Sequence, residues 1–301
     1  MAELGAEVSQ IAPAPNRRHA VLLITCGALA FAAMGAMAKA ASAAIPTFEL
    51  VAARSAVTWL VMEILRRQLA VPLHFAKLPA LAVRTVAGFF AIALYFHALR
   101  FIPLGEAVLL NNTSPLLTSV AAVALLGERM TWAKGIALGI ALVGLWLLLG
   151  ARDLSSVAGQ GALLGVASAV SGAVAMVALK KASAHNRAVL IVWALAAVST
   201  LGSLVMAGSD WLLPTPREGW LLLGTGAAAA VAQLLMTSGY RRLDASEASV
   251  YSFMTPLFSI VLGSALFGER PGWRAGAGGL LILAAGVGTA LRARSNDKTA
   301  T

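Results

Sequence analysis

Charge is scarce in this chain. Of its 301 residues only 12% are Asp, Glu, Lys or Arg, about half of the ~25% usual in soluble domains. So few charges, 23 basic and 13 acidic, cannot coat a 30.9 kDa globule, which excludes a water-soluble enzyme. Cysteine is nearly absent: Cys26 stands alone inside the first apolar run, so no disulfide framework is possible. There is no Gly-x-x-x-x-Gly-Lys-Ser/Thr phosphate loop, no His-Glu-x-x-His zinc motif and no Gly-x-Ser-x-Gly elbow. ATP-driven pumping and the familiar intramembrane hydrolase chemistries therefore lack residues to carry them. No cofactor or metal is implied. Nucleic acid is not an expected partner either, because its binders gather basic residues on one polar face and this chain has none.

Apolar sequence is what remains: 59% of residues, with a mean hydropathy of +0.82. A spanning helix needs ~20 such residues. One run extends from Arg17-Arg18-His19 to about Lys39, and others cover 47–69, 77–99, 103–126, 130–150, 159–179, 186–207, 219–240, 245–267 and 271–292. Lipid cannot satisfy an open backbone, and the runs are twice the length of barrel strands. The pattern predicts an all-α membrane protein with ten transmembrane helices in a lipid bilayer. Polar tails at 1–17 and 293–301 and a linker at 151–158 lie outside the spans. The small-residue stretch at 38–43 also resembles a signal-peptide cleavage site, but the run before it is long for a signal peptide and is matched by an internal repeat of the chain.

Basic residues alternate across the connections. The side bearing the N-terminus, including Arg66, Arg67, Lys77, Arg84, Arg129 and Lys134, carries 16 of the 23. Positive loops stay inside, so both termini are expected in the cytoplasm of a bacterial-type inner membrane.

Residues 98–135 align without a gap onto 239–276, at an offset of 141, with 13 identities in 38 positions. Glu106/Glu247, Pro115/Pro256, the Gly-Glu-Arg triplets at 127–129 and 268–270, and Trp132/Trp273 coincide. The same offset pairs Lys39 with Lys180, so the repeat covers five spans, residues 18–150 and 159–292. An odd number of spans makes the second copy inverted. Inverted repeats with a site at their interface are a recurring design of secondary transporters; duplication for packing alone is the bland alternative.

The five-plus-five arrangement, the stretch ALRFIPLGEA…SPLLTSVAAVALLGERMTW with its echo GYRRLDASEA…TPLFSIVLGSALFGERPGW, and a lone arginine in span 2 resemble the EamA-type members of the drug/metabolite transporter superfamily. The resemblance covers nearly all of residues 18–292. It implies carriers similar to exporters of amino acids and related small metabolites, working by alternating access, with importers also among the members. Where span 2 has Arg54, span 7 has Leu195, a departure from any symmetric use of that arginine.

Candidate substrate contacts come from spans 4 and 9. Each carries a proline, Pro115 or Pro256, which removes a backbone donor, frees a carbonyl at Asn111 or Ser252 and is expected to kink the helix. Asn111, Ser114 and Thr118 share a stripe at helical spacing, and the offset maps them onto Ser252, Thr255 and Ser259. Cavity lining and helix-contact glue both fit these small polar residues. In span 8, Gln233, Thr237 and Tyr240 share a face whose repeat partners are Ile92, Phe96 and Leu99. One wall is polar and the other oily, which suits an amino acid with an apolar side chain. Tyr95 and Trp193, with Phe89, Phe90 and Trp59, are candidate aromatic walls. Two roles fit Arg54, a clamp for a substrate carboxylate or a donor to carbonyls of a neighbouring helix end.

His97 and Glu49 are candidates for proton coupling, although both fall near span ends. Lys39 and Lys180 read as snorkelling anchors, Glu106 and Glu247 as carboxylates at helix starts, and Glu128 and Glu269 as structural groups at helix ends. Gly-x-x-x-Gly pairs at 135/139, 161/165 and 272/276 permit close packing, consistent with a monomer or a weak homodimer. The expected function is transport of a small organic metabolite, an amino acid foremost and a hydrophobic or aromatic one by preference, with net export. A broad carrier for hydrophobic drugs is the alternative within transport; a membrane scaffold or receptor and an intramembrane enzyme are alternatives of other classes.

Overall fold

Residues 17–114, 116–118, 132–149, 155–183, 185–208, 211–240, 251 and 253–299 are described by a computed structural model. They form ten helices: α1 (Arg17–Ser42), α2 (Thr47–Gln68), α3 (Leu78–Ala98), α4 (Leu104–Asn111), α5 (Trp132–Leu149), α6 (Val157–Ser183), α7 (Ala188–Ala207), α8 (Pro216–Tyr240), α9 (Met254–Phe267) and α10 (Trp273–Thr299). No strand occurs among the described residues.

Local chemistry explains where these helices begin and stop. Pro46 and Pro103 sit at the N-caps of α2 and α4, and Pro216 opens α8, positions where a missing N–H costs nothing. Glu49 and Glu106 occupy first turns, and Arg66 and Arg67 the last turn of α2, each complementing the helix dipole. The Thr215 N–H donates to the Glu218 carboxylate at 2.7 Å, closing the start of α8. Gly208 ends α7 and Gly268 ends α9, both at positive φ (60° and 65°) that other residues adopt only with strain.

Five of the helices have a stretch long and apolar enough to cross a membrane: 18–42, 78–98, 157–183, 188–207 and 216–236. Helix α2 carries Glu49, Arg54, Glu63, Arg66 and Arg67, which lowers its hydropathy although its length is sufficient. Apolar side chains such as Val205, Trp146 and Leu280 stand exposed on the outside, as in a protein whose outer solvent is lipid. The chain is an all-helical, multi-pass membrane protein.

The packing is symmetric. Helix α1 packs on α8 and α9, while α6 packs on α3 and α4; α2 meets both α7 and α8, and α3 meets α7; α4 pairs with α9, and α5 with α10. Exchanging α1–α5 for α6–α10 maps this set onto itself, so the sequence repeat is also a packing two-fold. Most contacts cross between the halves, which interlock. The α5–α10 crossing brings backbone against backbone: a Cβ added to Gly278 would lie 2.5 Å from the Gly144 carbonyl oxygen. Of the three Gly-x-x-x-Gly pairs, 161/165 packs against Phe101 and Leu110, whereas a methyl group placed on Gly135, Gly139, Gly272 or Gly276 would have nothing within 4 Å.

Two features depart from the sequence expectation. The chain after α4 breaks at Asn112–Thr113 before helix resumes at Ser114, and the equivalent break is Phe253, the N-cap of α9. Both fall two or three residues before the proline. Pro256 therefore lies in the first turn of α9, where its ring fits, and does not kink a continuous helix; Pro115 itself lies outside the described residues. Lys39, expected to snorkel, instead points into protein. Its Nζ donates to the Ile102 carbonyl at 2.6 Å and the Leu99 carbonyl at 3.2 Å, and pairs with Glu269 at 2.9 Å. Glu269 also accepts the Leu104 N–H, at 2.9 and 3.1 Å to its two oxygens. This latch ties α1, the α3–α4 turn and the end of α9 at one end of the bundle, beside the fully buried Leu99, Ile102 and Leu104.

Candidate functional site

A cavity of about 360 Å³ lies between the two halves, within the ~300–1,000 Å³ range of small-molecule sites. Its walls are Phe31 and Met34 from α1, Arg54 from α2, Arg84, Gly88, Ala91, Ile92, Tyr95 and Phe96 from α3, and Val108, Asn111, Asn112 and Ser114 around the α4 break. The second half adds Gly172, Ala175 and Met176 from α6, Leu195 from α7, Gln233 and Met236 from α8, and Thr255 from α9.

Six pairs related by the 141-residue offset face this one space: Phe31/Gly172, Met34/Ala175, Arg54/Leu195, Ile92/Gln233, Tyr95/Met236 and Ser114/Thr255. The cavity therefore sits on the packing two-fold, as the repeat leads one to expect of a transport site. Chemically the two walls differ: both supply amides, hydroxyls and thioethers, but the cations and aromatic rings all come from the first half.

Arg54 is only 7% exposed, and its Nε is buried without a hydrogen-bond partner. Tyr95, itself buried, lies within electrostatic reach of it, and the absence of a side chain at Gly35 leaves room for the Tyr95 hydroxyl. Arg84, one helix further on, also has a buried Nε without a partner. No ion pair to either arginine occurs among the described residues, and none of those lining the cavity is acidic. Two uncompensated guanidinium groups in one mostly apolar cavity are costly unless an anion joins them.

Asn111 is held in place by a chain of bonds: its Nδ2 donates to Ser168 Oγ at 2.9 Å, and Ser168 donates to the Ala91 carbonyl at 2.8 Å. Helices α4, α6 and α3 are joined at the cavity wall. Ser114 packs against Gly172, where a Cβ would come within 3.2 Å.

Of the residues expected from sequence, Arg54, Tyr95, Asn111, Ser114, Gln233 and Thr255 come together here. Thr118 and Ser259 do not line the cavity; their hydroxyls donate back to the Ser114 and Thr255 carbonyls at 2.7 and 2.8 Å, the ordinary fate of a hydroxyl inside a helix. Trp193 is displaced to the end of the bundle, where Nε1 donates to Glu63 at 2.9 Å and the ring packs on Trp59 and Phe75. Phe89 and Phe90 pair with each other and, like Trp59, are absent from the cavity wall. His97 is hydrogen-bonded to Thr47 Oγ1 at 2.7 Å, and Glu49 accepts the Leu212 N–H at 3.1 Å; neither lines the cavity. Ser252 and the side chains of Thr237 and Tyr240 lie outside the described residues.

Sequence reasoning misses Arg84, Asn112, Ser168 and the methionines Met34, Met176 and Met236. For Arg84 a signal is present: it lies six residues into an apolar run, nearly as deep as Arg54, although its nearness to the preceding loop groups it with the basic residues there.

The profile of the EamA-like transporter family matches residues 18–150 and again residues 159–291. The chain belongs to the EamA-like transporter family. It is 33% identical over 269 residues to the pseudopaline exporter CntI of Pseudomonas aeruginosa, a match that spans 89% of this chain and 94% of that protein. It is 27% identical over 205 residues to a riboflavin transporter of Vibrio cholerae, spanning 67% of each chain. An S-adenosylmethionine uptake transporter of Rickettsia bellii is 25% identical over 191 residues, 63% of this chain and 64% of that one. One solved crystal structure shares the fold, with a TM-score of 0.65 at 24% identity over 92% of this chain and 98% of that chain. The protein is a membrane transporter of small metabolites, and the two profile matches coincide with the halves that enclose the cavity.

Proposed function

We propose that this protein is a secondary carrier for an amphipathic, carboxylate-bearing small metabolite, with an amino acid as the simplest member of that class, and that its net direction is export. The observation that carries the substrate class is Arg54, a buried cation with a free Nε, no protein counter-ion among the described residues and a cavity in front of it. Phe31, Met34, Phe96, Leu195 and Met236 would cover an apolar portion of the solute, with Asn111, Gln233 and Thr255 holding its polar groups. An apolar or cationic drug would leave the guanidinium unpaired, which argues against the broad efflux carrier. Export is supported by the exporter CntI, which exceeds the riboflavin and S-adenosylmethionine transporters in both identity and coverage.

In this reading the chain makes ten spans as two inverted five-helix repeats, residues 18–150 and 159–292, with both termini in the cytoplasm of a bacterial-type inner membrane, as a monomer or a weak homodimer. The Lys39–Glu269 latch then closes the outer end. With that end latched, the cavity is assigned to the inward-facing state. Breaking the latch and closing the inner end would expose the same residues to the other side, and only a solute that binds the two states differently can bias that exchange. His97 and Glu49 remain candidates for proton coupling through their places beside the latch end.

Replacing Arg54 by Gln removes one charge-assisted contact, worth about 1.5–3 kcal/mol or roughly 10- to 100-fold in affinity. Counterflow into proteoliposomes should show that loss for a carboxylate solute and little change for its neutral amide. Equal weakening of both would remove the clamp.

A further inference from the structure

A single carboxylate on Arg54 leaves Arg84 unexplained. Both arginines line the same cavity, both have a buried Nε without a hydrogen-bond partner, and the described residues of the cavity wall include no acidic group to neutralise either. Nothing in the fold requires a cation at this place on α3. The repeat partner of Arg84 is Thr225, whose hydroxyl simply returns to the Leu221 carbonyl at 2.7 Å. The protein even makes room for the guanidinium: a Cβ at Gly88, one turn along, would come within 2.6 Å of Arg84 Nη1.

The two cations sit at different depths. Arg54 is seven residues from the start of α2 and Arg84 six from the start of α3, and these consecutive helices run in opposite directions. At ~1.5 Å per residue each lies about 10 Å from opposite ends of a bundle whose helices are ~30 Å long, which separates their Cα positions by roughly 10 Å along the axis. The guanidinium groups extend from those positions into one cavity, where a solute with two carboxylates can meet both.

We propose that Arg84 is a second anion-binding residue, and that the transported solute carries two carboxylates, one held by Arg54 and one by Arg84. This deepens the carboxylate reading and rests on it. Both cations belong to the first half, since Arg54 faces Leu195 across the two-fold. The anionic groups are therefore aligned along α2 and α3, and the remainder of the molecule turns toward Gln233 and Thr255.

The test uses the full chain, purified in detergent, and thermal stabilisation by straight-chain dicarboxylates from succinate to suberate, each against the monocarboxylate of equal carbon number. One dicarboxylate should reach half-maximal stabilisation at a concentration about tenfold or more below its monocarboxylate, the gain expected of a second charge-assisted contact. Arg84→Gln should erase that advantage, and Arg84→Lys should keep most of it. Equal potency of the two series in the unsubstituted protein, or an advantage that survives Arg84→Gln, overturns the second site and leaves the carboxylate reading standing. The first comparison needs no variant, so it decides even where Arg84→Gln does not fold. Stabilisation by neither series would overturn the carboxylate reading and this inference with it.

Discussion

Cutting the latch at Glu269 is expected to open one end of the bundle. The carboxylate accepts the Leu104 N–H at the start of α4 and pairs with Lys39, whose ammonium also serves the Leu99 and Ile102 carbonyls. Both side chains are largely shielded, at 16% and 13% exposure. A charge-assisted hydrogen bond contributes about 1.5–3 kcal/mol, and breaking a buried pair costs about 3–5 kcal/mol. With partial exposure, about 3 kcal/mol is a fair figure for Glu269→Ala, or roughly 10²-fold in the closed-to-open ratio. Hydrogen–deuterium exchange should therefore speed up by about that factor across residues 99–107, whose burial includes the fully enclosed Leu99, Ile102 and Leu104. Lys39→Met should act in the same direction, because it strands the same carboxylate. The double variant should cost less than the sum of the two, as coupled neighbours do. Unchanged exchange over 99–107 in both single variants would refute the latch.

Gly278→Val should lower the thermal midpoint by the equivalent of about 1–3 kcal/mol or more, since its Cβ would meet the Gly144 carbonyl oxygen at 2.5 Å and the Leu148 nitrogen at 2.8 Å. Gly276→Ala, at an open position, is the control and should stay within about 0.5 kcal/mol; equal effects would contradict the α5–α10 crossing. Trp193→Phe keeps ring contacts with Trp59 and Phe75 but loses the bond to Glu63. It should cost about 1 kcal/mol of stability and leave the KM for transport unchanged; a raised KM would restore Trp193 to the substrate site.

Helix positions are legible because lipid imposes a length on every apolar run: the run at 77–99 is the helix Leu78–Ala98, and 47–69 is Thr47–Gln68. The 141-residue offset carries further still, since pairs such as Ser114/Thr255 and Ile92/Gln233 face one cavity. What periodicity cannot give is the rotation of a helix after a break. The stripe Asn111–Ser114–Thr118 assumes continuous helix, but the turn at Asn112–Thr113 re-aims the next helical turn, and Thr118 leaves the wall. Depth is equally hidden: by hydropathy Arg84 resembles a loop cation at the start of α3, while its place in the cavity depends on which helix it faces. Long-range partners are invisible for the same reason. Trp193 meets Glu63 across 130 residues and Lys39 meets Glu269 from the other half, and neither pairing leaves a mark in local sequence.

Counterflow in proteoliposomes tests transport through the central cavity most directly. Purified protein, loaded with an unlabelled carboxylate solute and given the labelled one outside with no ion gradient, should take up label transiently and saturably and return it chemically unchanged, with Arg54→Gln reducing the flux. Absence of exchange by folded protein for every carboxylate solute, amino acids and dicarboxylates included, would contradict the account.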